Sequence, residues 1–111
     1  MQPSISHEEK NLSCGDVMKI DLLIEDEKLK DLKFSGNGCA ISQAAISILS
    51  EEIIGMPLQD VMELSKQDIF DMLGVPVSQR RIKCALLCLL TLKNAINKFK
   101  GEKEIKFIDI V

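Results

Sequence analysis

Phe34-Ser35-Gly36-Asn37-Gly38-Cys39-Ala40-Ile41-Ser42, FSGNGCAIS, is the stretch where one hydrophobic period ends and another begins. Upstream, Leu29 to Ser35 alternates, with Leu29, Asp31 and Lys33 on one side and Lys30, Leu32 and Phe34 on the other. The preceding run, Asp16 to Glu25, sets Met18, Ile20, Leu22 and Ile24 against Val17, Lys19, Asp21 and Leu23. Period two reads as strand, and the polar Glu25-Asp26-Glu27-Lys28 between the runs makes a hairpin. Downstream of Gly38 the apolar residues Ile41, Ala44, Ala45, Ile48 and Leu49 recur at three and four, which predicts a helix ending at Gly55.

Further helices follow. Pro57 to Leu64 reads as a short one, and Ser65 to Leu73 as another, with Ser65 as N-cap and Asp68 as capping-box acid. Gly74-Val75-Pro76 ends it. A long helix runs from about Gln79 to Phe99 and carries Ile82, Leu86, Leu89, Leu90, Lys93 and Ile96. Residues 1–13 read as a loose arm or short helix. With no repeats and no linker, the chain predicts one domain over 1–111 of class α+β: a small antiparallel β-sheet with helices packed on one face.

The chain has 111 residues, 46% hydrophobic and 28% charged, as a globular fold requires. Its net charge of −3 and scattered basic residues give no nucleic-acid footprint, and four Phe with no Trp or Tyr offer little for base stacking. The N-terminus has no apolar signal region, and the apolar run Cys84 to Leu92 is too short to cross a bilayer. The expectation is a cytoplasmic protein without a membrane partner. There, the four cysteines 14, 39, 84 and 88 are ligands or reactive thiols sooner than disulfides.

Cys14 precedes the first strand of the hairpin and Cys39 follows the second, so both belong at the same end of the sheet. Asp16 points to that end, and Cys84 opens the long helix that can dock there. Three thiols and a carboxylate suit zinc or the irons of an iron–sulfur cluster. Cys39 at a helix N-terminus gains thiolate character from the dipole. Spacing alone leaves a second reading open, in which the cysteines are separate, inert, buried thiols.

The segments CGD (14–16), FSGNGCAIS (34–42) and RRIKCALL (80–87), in this order, resemble the IscU/NifU/SufU family of iron–sulfur cluster assembly scaffolds. The likeness spans about residues 11–99. It implies that Cys14, Cys39 and Cys84 are cluster-holding or sulfur-accepting thiols and that Asp16 is the adjacent acid. It also implies a cysteine desulfurase as sulfur donor and apo-proteins as recipients of a [2Fe–2S] cluster. A non-enzymatic scaffold is the first reading. The alternative is a zinc-bound sulfurtransferase of SufU type, with Cys84 or Cys39 accepting sulfur.

Three departures from the family pattern stand out. Lys83 occupies the place of the IscU-branch histidine, and the segment from Cys39 to Cys84 lacks the SufU insertion. The IscU-type Leu-Pro-Pro-Val-Lys segment is reduced to GVPVSQRR, which argues against recognition by a dedicated Hsp70 chaperone. The family strand before Cys14 is not legible, and residues 104–110 are expected to pair with the hairpin in its place. His7 reads as solvated, Cys88 as a core thiol, Arg80 and Arg81 as solvating the helix start, and Met18, Met56, Met62 and Met72 as packing residues. Lys83 reads equally as a cation beside bound sulfide or as a solvated lysine. Glu25, Asp26 and Glu27 read as a solvated turn.

Overall fold

In the computed structural model, all residues are described except 1–2, 12–14, 39, 75–76, 79–80, 107–108 and 111. Three antiparallel strands, β1 (Ile5–Asn11), β2 (Asp16–Glu25) and β3 (Lys28–Ser35), form one sheet in the order β1-β2-β3. Four helices follow: α1 (Ala40–Ile53), α2 (Leu58–Met62), α3 (Lys66–Leu73) and α4 (Ile82–Lys100). The expected α+β class, with helices against a small antiparallel sheet, is what forms.

The alternation in β2 does what its period dictates. Asp16, Met18, Ile20 and Leu22 are buried, whereas Lys19 and Glu25 are exposed. The β2–β3 turn places Asp26 and Glu27 at φ 52° and 59°. Two consecutive left-handed residues match the twist of a tight hairpin, although glycine or asparagine is the usual choice there. β3 departs from clean alternation. Leu23 pairs with Asp31 but Ile24 pairs with Leu29, so Lys30 is an extra residue. The bulge brings Leu29 and Leu32, three apart, both into the core. Phe34, expected to share their side, stays 38% exposed.

α4 is buried almost all round, from Cys84 to Leu92 and from Asn94 to Asn97. A helix apolar on every side must lie inside, and α4 packs on β1 and β2 on one side and on α1, α2 and α3 elsewhere. Gly101 closes it at φ 76°, and Lys98 and Lys100 sit in its last turn, where cations oppose the negative dipole end. The Ser65–Asp68 capping box opens α3 as expected.

Two expectations at the termini are corrected. Residues 5–11 are no arm: they form the edge strand β1, in register from Ile5 opposite Leu22 to Asn11 opposite Asp16. ISHEEKN hides this because its inward positions include His7 and Glu9, so no apolar alternation marks it. The C-terminal segment does not replace that strand, since β1 already holds the edge of β2. Residues 102–106 form no strand. Instead the Asn94 side chain grips the Ile105 backbone, accepting from its N–H at 2.7 Å and donating to its carbonyl at 3.0 Å. The remainder of the proposed strand includes residues 107–108, which lie outside the described residues.

Candidate functional site: the sheet end at Asp16 and Cys84

The end of the sheet away from the hairpin turn gathers the start of β2, the loop after β3 and the first turns of α1 and α4. The loop is stitched down by backbone. Val17 N–H donates to Asn37 carbonyl at 2.7 Å. Gly36 sits at φ 134°, and a Cβ there would come within 2.1 Å of the Val17 carbonyl oxygen. Only glycine allows the loop to lie this close to β2.

At this end Asp16 is 5% exposed, Cys84 1% and Ser42 fully buried. Ser42 joins the other two. Its Oγ lies 2.7 Å from Asp16 Oδ2 and 2.9 Å from the Cys84 carbonyl oxygen, so one hydroxyl proton serves two acceptors on different elements. The site therefore brings together two residues predicted for it, Asp16 and Cys84. Cys14 and Cys39 lie outside the described residues. Their immediate neighbours do not: Gly15 precedes Asp16, and Gly38 and Ala40 flank position 39 at the start of α1.

Ser42 was missed by the sequence reading, though a signal for it exists. The buried stripe of α1 is Ser42, Ala45, Ile46, Leu49 and Ile53, and its spacing of three and four begins at the serine. The alternative stripe through Ile41, Ala44 and Ile48 is only half-buried. Both stripes are apolar enough to satisfy a period of 3.6, so period alone could not choose between them.

Cys88, one turn beyond Cys84, is fully buried, and its thiol donates to the Ala85 carbonyl at 3.4 Å. Burial pushes its pKa up to about 12, so it stays protonated and inert, as a packed core thiol should. Lys83 and Arg81 are exposed at the start of α4, while Arg80 lies outside the described residues. His7 is not solvated. Its side chain is 9% exposed and meets Glu9 and Glu104. The cavity of about 420 Å³ bounded by Glu27, Pro57 and Phe99 lies at the opposite end, by the hairpin turn, and holds no thiol or imidazole. Among the described residues no helix is long and apolar enough to cross a membrane.

Fold and site together define a small α+β domain that presents a buried acid and a cysteine at the end of a three-stranded sheet. The NifU-like N-terminal domain family matches residues 2–106. The Thermotoga maritima iron–sulfur cluster assembly scaffold protein IscU is 36% identical, over 86% of this chain and 78% of its own. The Bacillus subtilis zinc-dependent sulfurtransferase SufU is 28% identical, over 91% of this chain and 80% of its own. The crystal structure of FiSufU from Fervidobacterium islandicum AW-1 superposes with a TM-score of 0.70 at 34% identity, covering 83% of this chain and 79% of that one. The chain belongs to the NifU N-terminal/IscU/SufU family of iron–sulfur cluster assembly scaffolds.

Proposed function

We propose that this chain receives sulfur from a cysteine desulfurase, assembles a [2Fe–2S] cluster on Cys14, Cys39, Cys84 and Asp16, and hands it to apo-proteins. The observation that carries the reading is the Asp16–Ser42–Cys84 junction. A carboxylate buried to 5% exposure is costly unless something charged or hydrogen-bonded meets it, and here it is held beside the first turn of α4. The cluster is cargo, so its ligands must hold it and also release it. Thiolates are soft, strong ligands to iron, whereas a carboxylate is harder and more exchangeable. Mixed ligation leaves Asp16 as the position where an incoming recipient thiol first displaces a ligand. Ser42 orients the carboxylate toward that role.

A second reading is favoured by Lys83, which stands where the IscU branch has a histidine, and by the likeness to the Bacillus SufU. In it zinc sits on the same residues, and a thiol leaves the metal to take up sulfur. Serine substitution at each cysteine, followed by anaerobic reconstitution, tests the assignment. Cys14→Ser, Cys39→Ser and Cys84→Ser each lose the chromophore or the metal, because a neutral hydroxyl is a poor ligand; Cys88→Ala retains it. A chromophore that survives Cys84→Ser would place the site elsewhere. Wild-type protein that stays colourless, retains zinc and accelerates a desulfurase would favour the second reading.

A further inference from the structure

The inward face of β1 is polar where a core strand would be apolar. His7 and Glu9 lie two apart, hence on the same side of the strand. Glu104, from the segment after α4, reaches the same place. The His7, Glu9 and Glu104 side chains are 9%, 20% and 60% exposed. His7 Nε2 is 2.5 Å from Glu9 Oε2. An ionised carboxylate only accepts, so Nε2 carries a hydrogen, and in a neutral imidazole Nδ1 is then a lone pair. That lone pair faces Glu104 Oε1 at 4.0 Å. The gap is too long for a hydrogen bond, and it sets two acceptors against each other unless a cation lies between them.

One ligand atom from each of His7, Glu9 and Glu104 lies within 4.8 Å of the other two. Metal–nitrogen and metal–oxygen bonds of roughly 2.0–2.2 Å bridge such a triangle after a small inward swing of the exposed Glu104. Asn94, 1% exposed, supports two of the three ligands. Its Nδ2 donates to Glu9 Oε2 at 2.7 Å, and the same amide holds the backbone of Ile105, the residue next to Glu104. A buried amide that orients a ligating carboxylate is the arrangement that tunes metal sites.

We infer that His7, Glu9 and Glu104 form a site for a divalent transition-metal ion, distinct from the thiol site. One imidazole and two carboxylates suit ions of the Mn²⁺, Fe²⁺ and Zn²⁺ class. Asn11 pairs with Asp16 and His7 with Ile20, so the site lies four residues along the sheet from Asp16, about 13 Å away. Its ion clips the segment after α4 onto β1.

Mn²⁺, which disfavours thiolates, is the probe, titrated into the full chain. The chain has one histidine, so its ring protons are a single reporter in the NMR spectrum. The expected result is selective broadening of that ring and uptake saturating at one Mn²⁺. Glu104→Gln alters a largely exposed side chain, so the fold persists, and it weakens Mn²⁺ binding by at least about tenfold. Glu8→Gln, on the opposite, exposed side of β1, leaves it unchanged. A His7 ring that stays sharp, or Glu104→Gln binding as tightly as wild type, overturns the site. A ring that responds to pH but not to Mn²⁺ makes the proton the only occupant and overturns it equally.

Discussion

Ser42→Ala removes one hydroxyl from between two elements, and its cost can be worked from the contacts. The hydroxyl is fully buried and lies at 2.7 Å from the Asp16 carboxylate and 2.9 Å from the Cys84 carbonyl. A hydrogen bond to a charged acceptor contributes about 1.5–3 kcal/mol, and an acceptor left buried without it keeps its desolvation cost. The expected loss is about 2 kcal/mol, and for a domain of this size each kcal/mol moves the Tm by about 4 °C, so the midpoint falls by about 8 °C. The assay is a double-mutant cycle on Ser42→Ala and Asp16→Ala by urea denaturation of metal-free protein. Residues in one hydrogen-bonded pair couple by about 0.5–3 kcal/mol, whereas independent sites add within about 0.5 kcal/mol. Additive losses would show that Ser42 does not hold Asp16 and would refute its positioning role. Cluster loading measured on the same proteins separates stability from function: Ser42→Ala folds below its midpoint but releases cluster at an altered rate.

Three further outcomes follow from particular contacts. Cys88 titrates near 12 when folded against 9.0 for the unperturbed thiol. Between these values the unfolded chain has lost a proton that the folded chain retains, so stability falls as pH rises above about 9; Cys88→Ala flattens that slope in alkaline denaturation curves. A slope unchanged by the substitution would contradict the burial of this thiol. Gly36→Ala forces a Cβ to within 2.1 Å of the Val17 carbonyl at φ 134°, so the loop must lift; a loss above about 2 kcal/mol and impaired cluster loading are expected, and a wild-type melting curve would refute the close approach. Asn94→Ala breaks the grip on Ile105 and should speed amide exchange there, with the core of α4 still protected.

How much was legible depends on whether a residue's partner lies nearby in sequence. The hairpin, the capping box at Ser65 and the long helix follow local rules, and each was readable. The bulge at Lys30 was not, because it is set by how Leu29 and Leu32 both reach α-helical neighbours. β1 escaped notice because period-two reading looks for apolar residues, and this strand buries a histidine and a glutamate. Asp16 and Cys84 were legible as site residues from hairpin geometry and family resemblance. Ser42, which lies 26 residues from one and 42 from the other, required the docking of α1 on α4 to be known.

The most direct test of the account is cluster transfer. The protein is reconstituted without air from ferrous iron, cysteine and a cysteine desulfurase, and then mixed with an apo-ferredoxin. Absorbance and iron and sulfide content follow both partners over time, for wild type and Asp16→Ala. The account predicts a [2Fe–2S] chromophore on the wild type that moves to the ferredoxin, and a slower transfer from Asp16→Ala, which keeps its thiolates but lacks the exchangeable oxygen ligand. A wild-type protein that acquires no cluster, or an Asp16→Ala cluster that leaves faster than the wild type's, would contradict it.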